Sequence, residues 1–275
     1  MRAFARQMTE RMKAVAAAGA VAAFWLAVWV LVAGLVAQPL ILPGPGAVVV
    51  ALLRLVCDAN TWAILVGSGA RILGGLALAA VCGGLLAGIS SRSRAFARLV
   101  APALSFVKAT PVACVVVLLL IWLGSARVSI AAVFLMALPG AYFSLVEGLT
   151  QADKPLEQMF RLHGVRGWRL FCAHTWREVL PFVLSCARAV IGMSWKAGVA
   201  AELIGMATGT VGERIYQAKL LIETADLLAW TVLVVAASWA CERVLGWLLR
   251  ASRPAAWHAA VRSHGRGLHG RAAAA

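Results

Sequence analysis

Leu65-Val66-Gly67-Ser68-Gly69-Ala70-Arg71-Ile72-Leu73-Gly74-Gly75-Leu76-Ala77-Leu78-Ala79-Ala80-Val81-Cys82-Gly83-Gly84-Leu85-Leu86-Ala87-Gly88-Ile89 contains a single charged side chain, Arg71. A helix needs about 20 apolar residues to cross the hydrocarbon core of a bilayer, and this run exceeds that length. Working outward, five more stretches of the same kind appear at 15–37, 99–123, 129–149, 182–204 and 225–249. The predicted fold class is all-α, a polytopic membrane protein with six transmembrane helices. Composition agrees: 275 residues that are 62% hydrophobic and 13% charged hold more apolar side chain than a soluble domain of this length buries. Trp is frequent and Tyr rare, and Trp62, Trp122 and Trp247 sit near the ends of apolar runs, where indoles favour the interface.

The net charge of +15 reads as topology rather than as affinity for nucleic acid, because the basic residues cluster between the apolar runs. With the N-terminus placed inside, the cytoplasmic segments hold 17 Lys and Arg, and the opposite side holds only Arg54, Arg127, Arg214 and Lys219. Both termini are therefore expected in the cytoplasm. Arg2, Arg6, Arg11 and Lys13 precede the first run as in a signal peptide. The run is too long for one and has no clear small-x-small cleavage site before Gln38, so it is expected to be a retained span. The six cysteines are scattered with no C-x-x-C pair, which indicates neither a disulfide framework nor a zinc site, and no cofactor is expected.

The expected organisation is a cytoplasmic N-terminus at 1–14, a six-span domain at 15–249, and a basic, disordered cytoplasmic tail at 250–275. An external loop at 38–64 contains Pro39, Pro43 and Pro45, then an apolar stretch, Val48–Val56, suited to a short surface helix. The larger cytoplasmic loop is 150–181. Within it, Leu156–Phe171 has Met159, Phe160 and Leu162 before Gly164, and Trp168, Leu170 and Phe171 after it. This spacing predicts a helix, a bend that Gly164 permits, and a second helix, offering a knob for a soluble partner or a surface helix lying on lipid.

This loop resembles the coupling segment of binding-protein-dependent ABC importer permeases, whose pattern is E-A-A-x-x-x-G followed later by L-P. Gly164 matches the glycine and Leu180-Pro181 the final pair, while Gln158, Met159 and Phe160 stand where Glu, Ala and Ala are usual, with Glu157 one residue away. Other motifs are similar to the nitrate, sulfonate and taurine branch of that family. They are Leu42-Pro43-Gly44-Pro45, Ser91-Arg92-Ser93-Arg94, Lys108-Ala109-Thr110-Pro111-Val112, Trp122-Leu123-Gly124, and Trp195 followed by Ala200-Ala201-Glu202-Leu203-Ile204-Gly205.

The resemblance implies a permease subunit of the bacterial inner (plasma) membrane that is not itself an enzyme, with a cytoplasmic coupling helix. The implied partners are ABC ATPase subunits, an external solute-binding protein and a second permease copy within the lipid bilayer, with no nucleic acid. It favours a sulfonate-, nitrate- or taurine-like anion as solute; a vitamin precursor or another neutral or cationic small molecule is the alternative. The chain contains no G-x-x-x-x-G-K-[ST] loop to cradle a nucleotide's phosphates, in keeping with a separate ATPase.

Lys108, Pro111, Trp195, Lys196 and Glu202 are the candidate solute-path residues. Ionisable groups at mid-membrane cost about 2.5–3.5 kcal/mol on insertion scales and usually face protein or a watery cavity. Lys196 either lines the path or is satisfied by Glu147 or Glu202, and Lys108 either lines it or snorkels toward the cytoplasmic side. Arg71 and Arg188 are expected to be interfacial or paired. Pro111 and Pro139-Gly140 are expected to act either as hinges or as simple kinks in the third and fourth spans. A membrane-embedded enzyme is disfavoured because H-E-x-x-H and G-x-S-x-G are absent, and because His163 and His174 read as solvated surface residues. An ion-coupled carrier is disfavoured by the lack of a persuasive internal repeat.

Overall fold

The computed structural model describes the backbone of residues 2–151 and 153–251. Most of the expected tail lies outside the described residues.

Helix α1 (Arg2–Val36) is followed by α2 (Pro45–Cys57), α3 (Ala59–Ser90), α4 (Arg94–Ala109), α5 (Val112–Leu123) and α6 (Ser125–Gln151). Then come α7 (Lys154–Leu162), the single turn α8 (Gly167–Leu170), a π-helical turn at Phe171–Thr175, α9 (Trp176–Gly205), α10 (Val211–Leu220) and α11 (Thr224–Ala251). No strand occurs among the described residues. Five helices, α1, α3, α6, α9 and α11, are long and apolar enough to cross a membrane, and the pair α4 and α5 makes a sixth if counted as one broken span. The all-α, polytopic expectation holds.

That broken pair departs from the single span expected at 99–123. The chain turns by 103° at Thr110-Pro111, so two helices meet instead of one helix kinking. Proline has no N–H to continue the ladder and disfavours helical angles in the residue before it, and Thr110 is accordingly extended (ψ 131). Its hydroxyl donates to Phe106 O at 2.8 Å, closing the end of α4. At Pro139, by contrast, α6 runs through without a break. Gly124 (φ 73) ends α5 after Trp122-Leu123, at the position the motif indicated.

Helix α6 is the axis of the protomer, packed along its length against α3 and α9, with α5 and α4 on its flanks. Lipid tails are as apolar as the side chains facing them, so helices associate through close van der Waals packing and hydrogen bonds. Small residues permit the approach. A Cβ on Gly75 would lie 2.5 Å from Ile130 O, and one on Gly198 would lie 2.5 Å from Ile72 Cγ1. Ile72, Val133, Ile191 and Trp195 fill the space between α3, α6 and α9. Tyr142, almost fully buried, donates its hydroxyl to Ser90 Oγ at 3.0 Å, and the thiol of Cys186 donates to Gly140 O at 3.2 Å.

Helix α2 confirms the short helix foreseen after the proline cluster and packs on α11. Arg54 of α2 forms an ion pair with Asp226 of α11. Helix α10 was not foreseen, although Thr210-Val211-Gly212-Glu213 has the S/T-x-x-E form of a helix start. Thr210 Oγ1 accepts from Glu213 N at 3.1 Å, and Glu213 Oε2 accepts from Gly209 N at 2.6 Å.

Candidate functional site: a coupling element at one end, an open cationic face within

The segment after α6 begins with Asp153, whose carboxylate accepts from Leu156 N at 3.2 Å and so starts α7. Glu157 and Arg161 pair across one turn at 2.6 Å, an exposed i,i+4 contact worth about 0.3–0.5 kcal/mol. Helix α7 then stops through its glycine. Gly164 has φ 79, its N–H donates to Arg161 O at 3.1 Å, and Val165 N donates to Phe160 O at 3.0 Å. This pair of bonds is a Schellman motif, which calls for a left-handed residue at the position Gly164 holds.

The two faces of α7 differ. Leu162 is 87% exposed and Met159 is 49% exposed, and Gln158 also faces outward. Phe160 turns inward instead, stacking on His174 with ring centroids 5.8 Å apart. Phe160 is therefore the anchor of the element and not part of its outer knob. His174 is buried rather than solvated, because the π-helical turn rotates it beneath α7. Its Nε2 lies 3.1 Å from Asp153 O, an acceptor only, so Nε2 carries the proton. His163 remains exposed.

No independent second helix follows Gly164. Helix α8 and the π turn lead straight into α9, which starts at Trp176 rather than near 182, so Leu180-Pro181 lies inside α9. Leu180 is buried against the bundle and Pro181 is exposed. A cleft of about 860 Å³ separates this element from the end of α3 and the turn at Ser91-Arg92-Ser93, with Glu157, Arg161 and Trp176 on its opposite wall.

Glu202 stands toward the other end of α9, fully buried. Ser68 of α3 donates to Glu202 Oε2 at 2.8 Å, Gly212 N approaches the same oxygen at 3.4 Å, and Arg71 NH1 lies 3.9 Å from Oε1. Val211 N donates to Ser68 Oγ at 3.0 Å. The carboxylate thus faces the N–H of Gly212 and the Ser68 hydroxyl takes that of Val211, at a helix start that leaves donors free and favours an anion. Within the protomer Glu202 is enclosed by α3, α9 and α10, away from any open surface, and the cation at ion-pair distance is Arg71, not Lys196.

The other path candidates separate. Trp195, 2% exposed, belongs to the interior with Ile72 and Trp230. Lys108 and Pro111 are exposed beside the break between α4 and α5. Lys196 is exposed on the open side of α9 and has no carboxylate at ion-pair distance among the described residues. Glu147, its other expected partner, is exposed near the end of α6 and accepts from Gln151 Nε2 at 3.2 Å. Ser68 and Arg71 were missing from the expected site. Only the packing of α3 against α9 identifies them, since 134 residues separate Ser68 from Glu202.

Residues 80–258 match the family described as the binding-protein-dependent transport system inner membrane component. A Bacillus subtilis protein named as an aliphatic sulfonates transport permease, SsuC, is 27% identical over 213 residues, covering 76% of each chain. Its Escherichia coli namesake is 28% identical over 199 residues, 71% of this chain and 74% of that one. The bicarbonate transport system permease protein CmpB of Synechococcus elongatus is 23% identical over 189 residues, 67% of each. The matched residues run from the second half of α3 through α7 and α9 into α11. This chain belongs to that family, as a non-enzymatic inner-membrane permease subunit of the nitrate, sulfonate and taurine branch of ABC importers.

Proposed function

We propose that two copies of this chain form a solute path for a small oxyanion of the sulfonate, nitrate or taurine type, delivered by an external binding protein. Lys196 carries this reading. It is a cation inside a membrane-crossing helix, exposed within the protomer and without a carboxylate partner among the described residues. Such a group is too costly to leave against lipid, so a second copy across a watery path is the fitting neighbour. The names of the sulfonate and bicarbonate relatives support an anion. Lys108 and Pro111, exposed at the break, belong to the same path; Trp195 and Glu202 support its wall from behind.

Both termini lie in the cytoplasm in this reading, and α7 faces the ATPase. Met159, Gln158 and Leu162 make the contact, Glu157 and Arg161 orient it, and Phe160, Gly164, Leu180 and Pro181 hold the element on the bundle. The expected division into a six-span domain at 15–249 and a basic tail from 250 carries over as part of the proposal.

The test is reconstitution in proteoliposomes with the cognate ATPase and binding protein. ATP-dependent uptake of an alkanesulfonate, nitrate or bicarbonate is expected, with two permease copies per complex by native mass spectrometry. Uptake of a cationic vitamin precursor in place of anions overturns the solute class. A single copy in an active complex overturns the dimer, and a reporter fusion that places residue 275 outside overturns the topology.

A further inference from the structure

We propose that Arg188 is a second solute-guiding residue, forming with Lys196 a two-station cationic ladder along the open face of α9; this rests on the anion path proposed above. Helix α9 buries Val190, Ile191, Ser194, Trp195, Gly198 and Glu202 in the bundle. Its opposite side exposes Ser185, Arg188, Ala189, Met193 and Lys196. At about 100° per residue, Arg188, Gly192 and Lys196 fall within about 80° of arc, and the two cations stand about 12 Å apart along the axis. A Cβ built on Gly192 would meet nothing within 4 Å, so the strip between the cations is open.

The contrast with two other cations of the membrane-crossing helices, Arg71 and Arg243, gives Arg188 and Lys196 their meaning. Arg71 lies 3.9 Å from the carboxylate of Glu202, and Arg243 lies over the Trp239 ring at 4.4 Å. Each has an opposite charge or an aromatic face beside it. The fold leaves Arg188 and Lys196 without a carboxylate or ring partner among the described residues. Arg188 lies six residues from one end of the apolar stretch at 182–204 and Lys196 eight from the other, about 9 and 12 Å of helix. Two cations without a partner on one face of a membrane-crossing helix cost less beside water and anions than beside acyl chains. The chemistry is graded: lysine offers a point charge and arginine a planar fork that takes two oxygens of an oxyanion at once. Two moderate sites in series let an anion enter and still leave, which a single tight site does not.

The experiment uses the full importer in proteoliposomes. Arg188→Gln is expected to lower maximal anion uptake at least tenfold with binding-protein-stimulated ATP hydrolysis retained, and Arg188→Lys to keep most of the uptake. A second measurement covers a failure of Arg188→Gln to assemble. Gly192→Cys in the assembled complex, with the signal of the native cysteines subtracted, should react with an anionic methanethiosulfonate at least tenfold faster than with a cationic one. That preference should fall toward unity when Lys196→Gln is added. Wild-type uptake by Arg188→Gln, or absent or charge-indifferent labelling at Gly192→Cys, overturns the ladder. Anion uptake by the unmodified complex is scored separately, so the path reading can stand while the ladder falls.

Discussion

The carboxylate of Glu202 accepts the hydroxyl of Ser68 at 2.8 Å and thereby ties α9 to α3 across 134 residues of sequence. The same carboxylate and the same hydroxyl receive the first N–H groups of α10, so three helices share one acceptor. Glu202→Ala is expected to strand Ser68, Arg71 and the start of α10, at about 1–3 kcal/mol for each buried group left unpaired. The measurement is thermal unfolding in detergent. A Tm equal to wild type would mean that the bonds at Glu202 carry no stability.

Gly198 tests the packing of α9 on α3. Gly198→Ala places a Cβ 2.5 Å from Ile72 Cγ1 and 3.1 Å from Val133 Cγ2, and overpacking of this kind costs about 1–3 kcal/mol. Because the obstructing atoms, Ile72 Cγ1 and Cδ1, belong to a side chain that alanine cuts back to Cβ, Gly198→Ala combined with Ile72→Ala should lose less Tm than the sum of the two single losses. Additive losses would show that the two positions do not meet.

Helix α7 has separable inner and outer faces. Leu162→Asp, at a position 87% exposed, should leave the Tm unchanged while weakening co-purification of the ATPase. Phe160→Ala removes the stack on His174 and should raise hydrogen exchange across α7 before it affects anything else. Equal effects of the two substitutions on exchange would erase the distinction between the faces.

At Gly164 the constraint is backbone alone, since φ is 79 and a Cβ would meet nothing within 4 Å. Gly164→Val should therefore insert normally yet lose ATPase association and uptake, with a conformational cost of about 1–2 kcal/mol. Gly164→Asn, which tolerates the left-handed region, should recover more of both. Full uptake by the valine variant would place the coupling contact elsewhere.

How much of this was legible in the sequence depended on the range of the physics involved. The spans at 65–89, 129–149 and 225–249 were visible because bilayer thickness acts on composition alone. Gly164 was legible because a left-handed helix stop has a local signature. The 103° break at Pro111 was not: a missing N–H reads the same in the sequence at Pro139, where the helix continues. The residue pattern around a proline does not by itself separate a helix that breaks there from one that runs through. The burial of His174 was hidden for a related reason, because one π-helical turn rotates every later side chain relative to an α-helical count. The choice between Arg71 and Lys196 as partner of Glu202 depended on which face of α9 meets α3.

Helix α1 has α2 as its main neighbour, fixed where Trp29 Nε1 donates to Pro43 O at 3.2 Å, and its apolar stretch Gly19–Val36 has no buried residue within the protomer. A segment that needs no tertiary contact to be stable in lipid can be released into the bilayer as soon as it leaves the ribosome. In chain order α1 precedes the α3, α6 and α9 core, and the close contacts of the glycine-rich α3 come from helices that follow it, with Glu202, the carboxylate that ties α3, α9 and α10, behind most of them.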